Sequence, residues 1–127
     1  FATYGASGAD ITNWDLTLNG LLFHSGSKSK YAGTYMQFGG KSGDMDRYFK
    51  FTAPEQGTLK ITVSNTGSAA AMDRTVAVTV GDDTQAQPGG FSSNAPEELV
   101  FSVPAGEVII TAPVNGLRFY HIYYTNQ

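Results

Sequence analysis

Cysteine is absent from this 127-residue chain. No disulfide can staple it, which in a short domain points to an intracellular protein or an exported bacterial one. Charge is scarce too: Asp, Glu, Lys and Arg make up 15% of the residues, below the usual quarter. The eight basic residues never cluster and the net charge is −3. A nucleic acid partner needs a basic stripe to displace counterions from phosphates, so that class is excluded. Apolar runs such as Val108-Ile109-Ile110 are strand-sized and none exceeds four residues, far from the roughly 20 residues of a membrane-spanning helix. No stretch of a dozen residues keeps an apolar stripe at helical spacing. The chain also lacks an initiating Met and starts at Phe1. It reads as a mature fragment or excised domain, with any leader or anchor outside it.

Alternation is what the chain has instead. Leu59, Ile61 and Val63 alternate with polar residues in Gly57–Ser64, while Val76, Val78 and Val80, and Leu99, Phe101 and Val103, likewise recur at every second position. The stretch 48–53 repeats the pattern with Phe49, Phe51 and Ala53. These are half-buried strands with one face to a core. Two further segments, 108–112 and 119–124, are apolar at both parities, which places them centrally or under a second layer. Pro54-Glu55-Gln56-Gly57, Pro104-Ala105-Gly106-Glu107 and Pro113-Val114-Asn115-Gly116 read as tight turns and imply hairpins. Longer connections are expected at 25–33 and 82–96, where binding surfaces tend to sit. Seven to nine short strands without helix imply one all-β domain over residues 1–127, a two-sheet antiparallel sandwich.

Chemistry is harder to find. The two histidines, His24 and His121, come with no nucleophile motif, and without cysteine they make a poor zinc set. Asp44, Asp46, Asp82 and Asp83 offer hard oxygen ligands of the kind calcium takes, without an EF-hand pattern. The expectation is no cofactor, with room left for a structural calcium between loops. Hydrolysis of a glycan needs two carboxylates flanking a cleft, and nothing in the sequence pairs two of them.

Aromatic residues, 13% of the chain, are the most suggestive feature. A flat ring stacks on the apolar face of a pyranose, while neighbouring amides and cations bond the hydroxyls. The candidate platform residues are Tyr48, Tyr35, Trp14 and Tyr120, with polar help from Arg47, Lys50, Asn13 and Arg118. Tyr48 stands out because it faces away from Phe49 and Phe51. The competing reading of each Tyr is a strand residue with its hydroxyl at the core's rim.

Thr12-Asn13-Trp14-Asp15 leading to Leu18-Asn19-Gly20-Leu21, and the closing Asn115–Tyr124 segment, resemble jelly-roll accessory domains of Bacteroidetes polysaccharide-utilisation proteins. Arg47–Thr52 and Gly57–Ile61 are similar to that group's middle strands. The resemblance implies a galactose-binding-like, carbohydrate-module-like sandwich, exported or at the cell surface and non-catalytic. Its partner would be a polysaccharide or oligosaccharide, and neighbouring domains of a larger protein could adjoin it. The alternatives are a structural or protein-interaction module, or a small glycan hydrolase. The resemblance carries no ligand-contacting residue with it.

Overall fold

The structure is a computed structural model; it describes the backbone of residues 9–11, 14–18, 21–25, 29–31, 35–38, 47–64, 74–88, 96–113 and 116–125. Twelve strands occupy the described residues: β1 (Ala9–Ile11), β2 (Trp14–Leu18), β3 (Leu21–Ser25), β4 (Ser29–Tyr31), β5 (Met36–Phe38), β6 (Arg47–Ala53), β7 (Gly57–Ser64), β8 (Thr75–Val80), β9 (Asp83–Pro88), β10 (Glu97–Val103), β11 (Gly106–Thr111) and β12 (Leu117–Thr125). They form two six-stranded antiparallel sheets, ordered β1-β4-β5-β12-β7-β10 and β2-β3-β6-β11-β8-β9.

The expected alternation builds the core. Leu59, Ile61 and Val63 of β7 are buried, as are Leu99, Phe101 and Val103 of β10, while Val100 between them is 49% exposed. Phe49, Val76, Val78, Val108 and Ile110 supply the other wall. The sheets meet through rings: Phe49 and Phe119 lie edge to face at 5.2 Å, and Phe51 and Tyr124 are 5.4 Å apart. Each large side chain removed from water contributes about 1.5–3 kcal/mol, so this stacked core holds the two layers together. The result is the all-β, two-sheet sandwich that the alternation implies.

The three proline-containing turns do not make hairpins. The first carries the chain from β6 in the second sheet to β7 in the first. The second carries it from β10 back to β11, and the third from β11 to β12. Alternation is the same for a hairpin and for a crossing between layers, because both send the apolar positions into the shared core. Contacts distant in sequence decide between them. A Cβ on Gly57 would lie 2.5 Å from the Thr125 carbonyl oxygen and 2.6 Å from the Tyr124 ring. The Tyr124 hydroxyl in turn donates to the Glu55 carbonyl. Glycine at 57 thus answers a close approach by β12.

A described hairpin instead joins β8 to β9, with Val80 opposite Asp83 and Gly81 at φ +62° in its two-residue loop. Positive φ in such a loop matches the twist of paired strands. β9 falls inside the expected long connection 82–96. Nearly all of it is exposed, so it has no apolar alternation to announce it. β4 likewise lies inside the expected connection 25–33.

The two segments apolar at both parities are central, β11 between β6 and β8 and β12 between β5 and β7. For β12 the cause is a bulge. Phe119 pairs with Val63 and His121 with Thr62, leaving Tyr120 as the extra residue. Leu117 and Phe119 face the core before it, and Ile122 and Tyr124 pack on the core after it. The inward parity therefore switches from odd to even within one strand.

Candidate functional site

The bulge sets what β12 shows to the outside. Arg118, Tyr120, His121 and Tyr123 occupy the positions that turn away from the core. Tyr35, just before β5, and Gln37 within it lie on either side of buried Met36 and share that face. Lys60 and Thr62 of β7, and Glu98 and Val100 of β10, continue it, because each alternates with a core residue.

At the β5 end the side chains grip one another. The Arg118 guanidinium sits 4.7 Å from the centre of the Tyr35 ring, and its Nε donates to Gln37 Oε1 at 3.1 Å. Tyr35 packs at 5.4 Å against Tyr120, whose hydroxyl shares a 3.1 Å hydrogen bond with buried Ser64. Tyr35 is therefore held between a cation and a second ring, and both tyrosines are only partly exposed.

Toward β10 the face opens. His121 and Tyr123 lie with their rings nearly parallel, 14° apart in tilt and 6.2 Å between centres. His121 is exposed and Tyr123 is 49% exposed. Lys60 stands between Tyr123 and Val100 in one cross-strand row, and Thr62 between His121 and Glu98 in the next. Two rings thus run along β12, bordered by a lysine, a threonine and a carboxylate. The two rings are stacked on each other, and Tyr123 remains half exposed.

The residues singled out in the sequence divide between opposite sides of the sandwich. Tyr35, Tyr120 and Arg118 come together on the outer face of the first sheet. Tyr48 and Lys50 lie on the outer face of the second, where Tyr48 stacks on His24 at 4.8 Å and Lys50 reaches Glu107 at 3.8 Å. The Lys50 ammonium also lies 5.8 Å from the Tyr48 ring centre. One face of the Tyr48 ring is covered by imidazole and so is not open for a ligand. Trp14 and Arg47 are described only as backbone, Trp14 in β2 opposite Ser25 and Arg47 in β6 opposite Ser25. Asn13 lies outside the described residues, as do Asp44 and Asp46.

His121, Tyr123 and Lys60 are the members of the open platform that sequence reasoning left aside. Their parity reads correctly only once the bulge is known. The acids proposed for calcium, Asp82 and Asp83, line a shallow depression with Glu107 between the β8–β9 and β10–β11 turns. Among the described residues, no three His, Asp or Glu side chains gather closely enough to hold a metal ion. No described helix is long and apolar enough to cross a membrane.

No family model matches this chain. No curated protein is similar enough to count as a relative.

Proposed function

We propose that this chain is a non-catalytic carbohydrate-binding domain of a secreted or cell-surface bacterial protein. Its ligand is a polysaccharide or oligosaccharide, and it binds on the outer face of the first sheet. The observation that carries the reading is the pair His121 and Tyr123, parallel and exposed beside Lys60. An exposed aromatic ring can stack on a pyranose, which offers an apolar face with hydroxyls at its edge. Tyr35, Tyr120 and Arg118 stiffen the neighbouring strand and lengthen the platform toward β5.

Strand order supports the jelly-roll assignment. From β5 onward the chain alternates between sheets except at the β8–β9 hairpin, giving β5-β12-β7-β10 in one and β6-β11-β8-β9 in the other. This is the nested order of a double-sheet jelly roll. The likeness to Bacteroidetes accessory domains joins it in favouring an exported module. Against the hydrolase alternative, Glu98 is the sole carboxylate among the described side chains of this face, and hydrolysis normally uses two. Exposed Val100 favours a second reading, a protein-interaction module docking on the same face.

Affinity electrophoresis through gels containing a panel of glycans tests the proposal. Retardation by a glycan, lost in a folded Tyr123→Ala variant, is the expected result. Free migration through every gel would shift the assignment to the interaction module.

A further inference from the structure

Charge is distributed unevenly over the described side chains. The chain carries a net −3, yet the outer face of the first sheet presents Lys60 and Arg118 against Glu98 among its described side chains. The other exposed described acids lie elsewhere: Glu55 in the β6–β7 turn, Asp82 and Asp83 at the β8–β9 loop, and Glu107 on the second sheet. On the second sheet the nearest cation, Lys50, is already engaged with Glu107 at 3.8 Å. Lys60 has no ion-pair partner among the described residues.

Position sharpens the point. Lys60 is the direct cross-strand neighbour of Tyr123, so their Cβ atoms stand about 4.5–5.5 Å apart. A sugar lying flat on Tyr123 would turn its ring edge toward the ammonium. The second cation, Arg118, pairs with Ser64, four residues along β7 from Lys60. Strand rise puts those two backbone positions about 13 Å apart. Thr62 and His121 fill the interval. Single cations separated in this way suit a polymer with spaced charges. A dense polyanion would need a continuous basic stripe, and Glu98 would oppose it.

We infer that the ligand of this face is a polysaccharide containing uronic acid, with a ring carboxylate paired to Lys60 while the sugar stacks on Tyr123 and His121. The inference rests on the carbohydrate-binding reading and adds the charge of the ligand to it. The carboxylate gains a charge-assisted hydrogen bond from Lys60.

Gels containing polygalacturonate, alginate, fully methyl-esterified polygalacturonate, hydroxyethylcellulose, xyloglucan or dextran sulfate provide the test. Esterification removes the charge and keeps the backbone. The expected outcome is retardation by a uronate polymer, lost with its ester, weakened about threefold to tenfold by Lys60→Met and retained by Lys60→Arg. Thermal unfolding of Lys60→Met at the parent temperature confirms that its fold is intact. Equal retardation by ester and acid, or by a neutral glucan, with no effect of Lys60→Met, would overturn the uronate inference and leave carbohydrate binding standing. Retention only by dextran sulfate, unchanged in Tyr123→Ala, would also overturn it, as attraction to any polyanion. Free migration through all gels would overturn both.

Discussion

Gln85 donates from its side-chain Nε2 to the Ser102 carbonyl at 2.6 Å, joining an edge strand of one sheet to an edge strand of the other. Gln87 repeats the bond two residues along, to the Val100 carbonyl, also at 2.6 Å. β9 and β10 close their sheets on the same side, and an open strand edge is a template for pairing with another chain. The two glutamines occupy acceptors that such pairing would use.

Removing this latch should expose the edge. Gln85→Ala/Gln87→Ala is expected to sediment with a weight-average mass that rises with concentration more steeply than the parent's. The loss in stability should be small, about 1 kcal/mol for each bond. Unchanged sedimentation across the concentration range would show that the bonds do not guard the edge.

Two glycines should respond differently to alanine. At Gly57 a Cβ meets the Thr125 carbonyl oxygen and the Tyr124 ring, and the backbone oxygen cannot swing aside. Gly57→Ala should cost about 1–3 kcal/mol in urea denaturation, the range of overpacking strain. Gly81 has open space around it and φ of +62°, so Gly81→Ala carries only the left-handed penalty of about 1–2 kcal/mol. Gly81→Asn should recover part of that loss, whereas Gly57→Asn should not. Equal recovery at both sites would mean that the crossing at Gly57 is governed by φ rather than by β12.

Tyr120 and Tyr123, three residues apart on one strand, should separate stability from binding. Tyr120→Phe removes the hydroxyl bonded to buried Ser64 and should cost about 1 kcal/mol. Glycan retention should persist, since the ring stays against Tyr35. Tyr123→Ala should leave the unfolding midpoint within about 0.5 kcal/mol of the parent, as exposed substitutions usually do, and abolish retention. Paired measurements of midpoint and retardation decide this; a Tyr123→Ala loss that tracks a loss of stability would remove the ring from the binding role.

The ion pair Lys50–Glu107 on the opposite face makes the fourth case. A double-mutant cycle with Lys50→Met and Glu107→Gln should return a coupling below about 1 kcal/mol, falling with added salt. A larger, salt-insensitive coupling would mark a pair shielded from water.

Fold class was legible because Leu59, Ile61, Val63, Leu99, Phe101 and Val103 alternate without interruption, and period two has one physical meaning. Sheet membership was not legible. Phe49 and Leu59 both face the core whether Pro54–Gly57 is a hairpin or a crossing, and the deciding contact comes from Tyr124, far along the chain. β9 was hidden for another reason, since an exposed edge strand held by backbone pairing and two glutamine amides needs no apolar residues. Of the candidate site, Tyr35, Tyr120 and Arg118 were named from residue type and do meet. Tyr123 and His121 were missed because the bulge at Tyr120 reverses parity, and their strand then reads as apolar on both sides. Tyr48 was read correctly as facing outward, but its partner His24 comes from β3, and sequence spacing does not disclose a cross-strand stack.

The most direct test sets the two outer faces against each other. Tyr123→Ala and Tyr48→Ala, each verified as folded by circular dichroism, are run with the parent through gels containing the glycan that retards it. Tyr123→Ala should migrate freely while Tyr48→Ala is retarded like the parent. Retention by Tyr123→Ala together with free migration of Tyr48→Ala would place binding on the second sheet and contradict the assignment of the site.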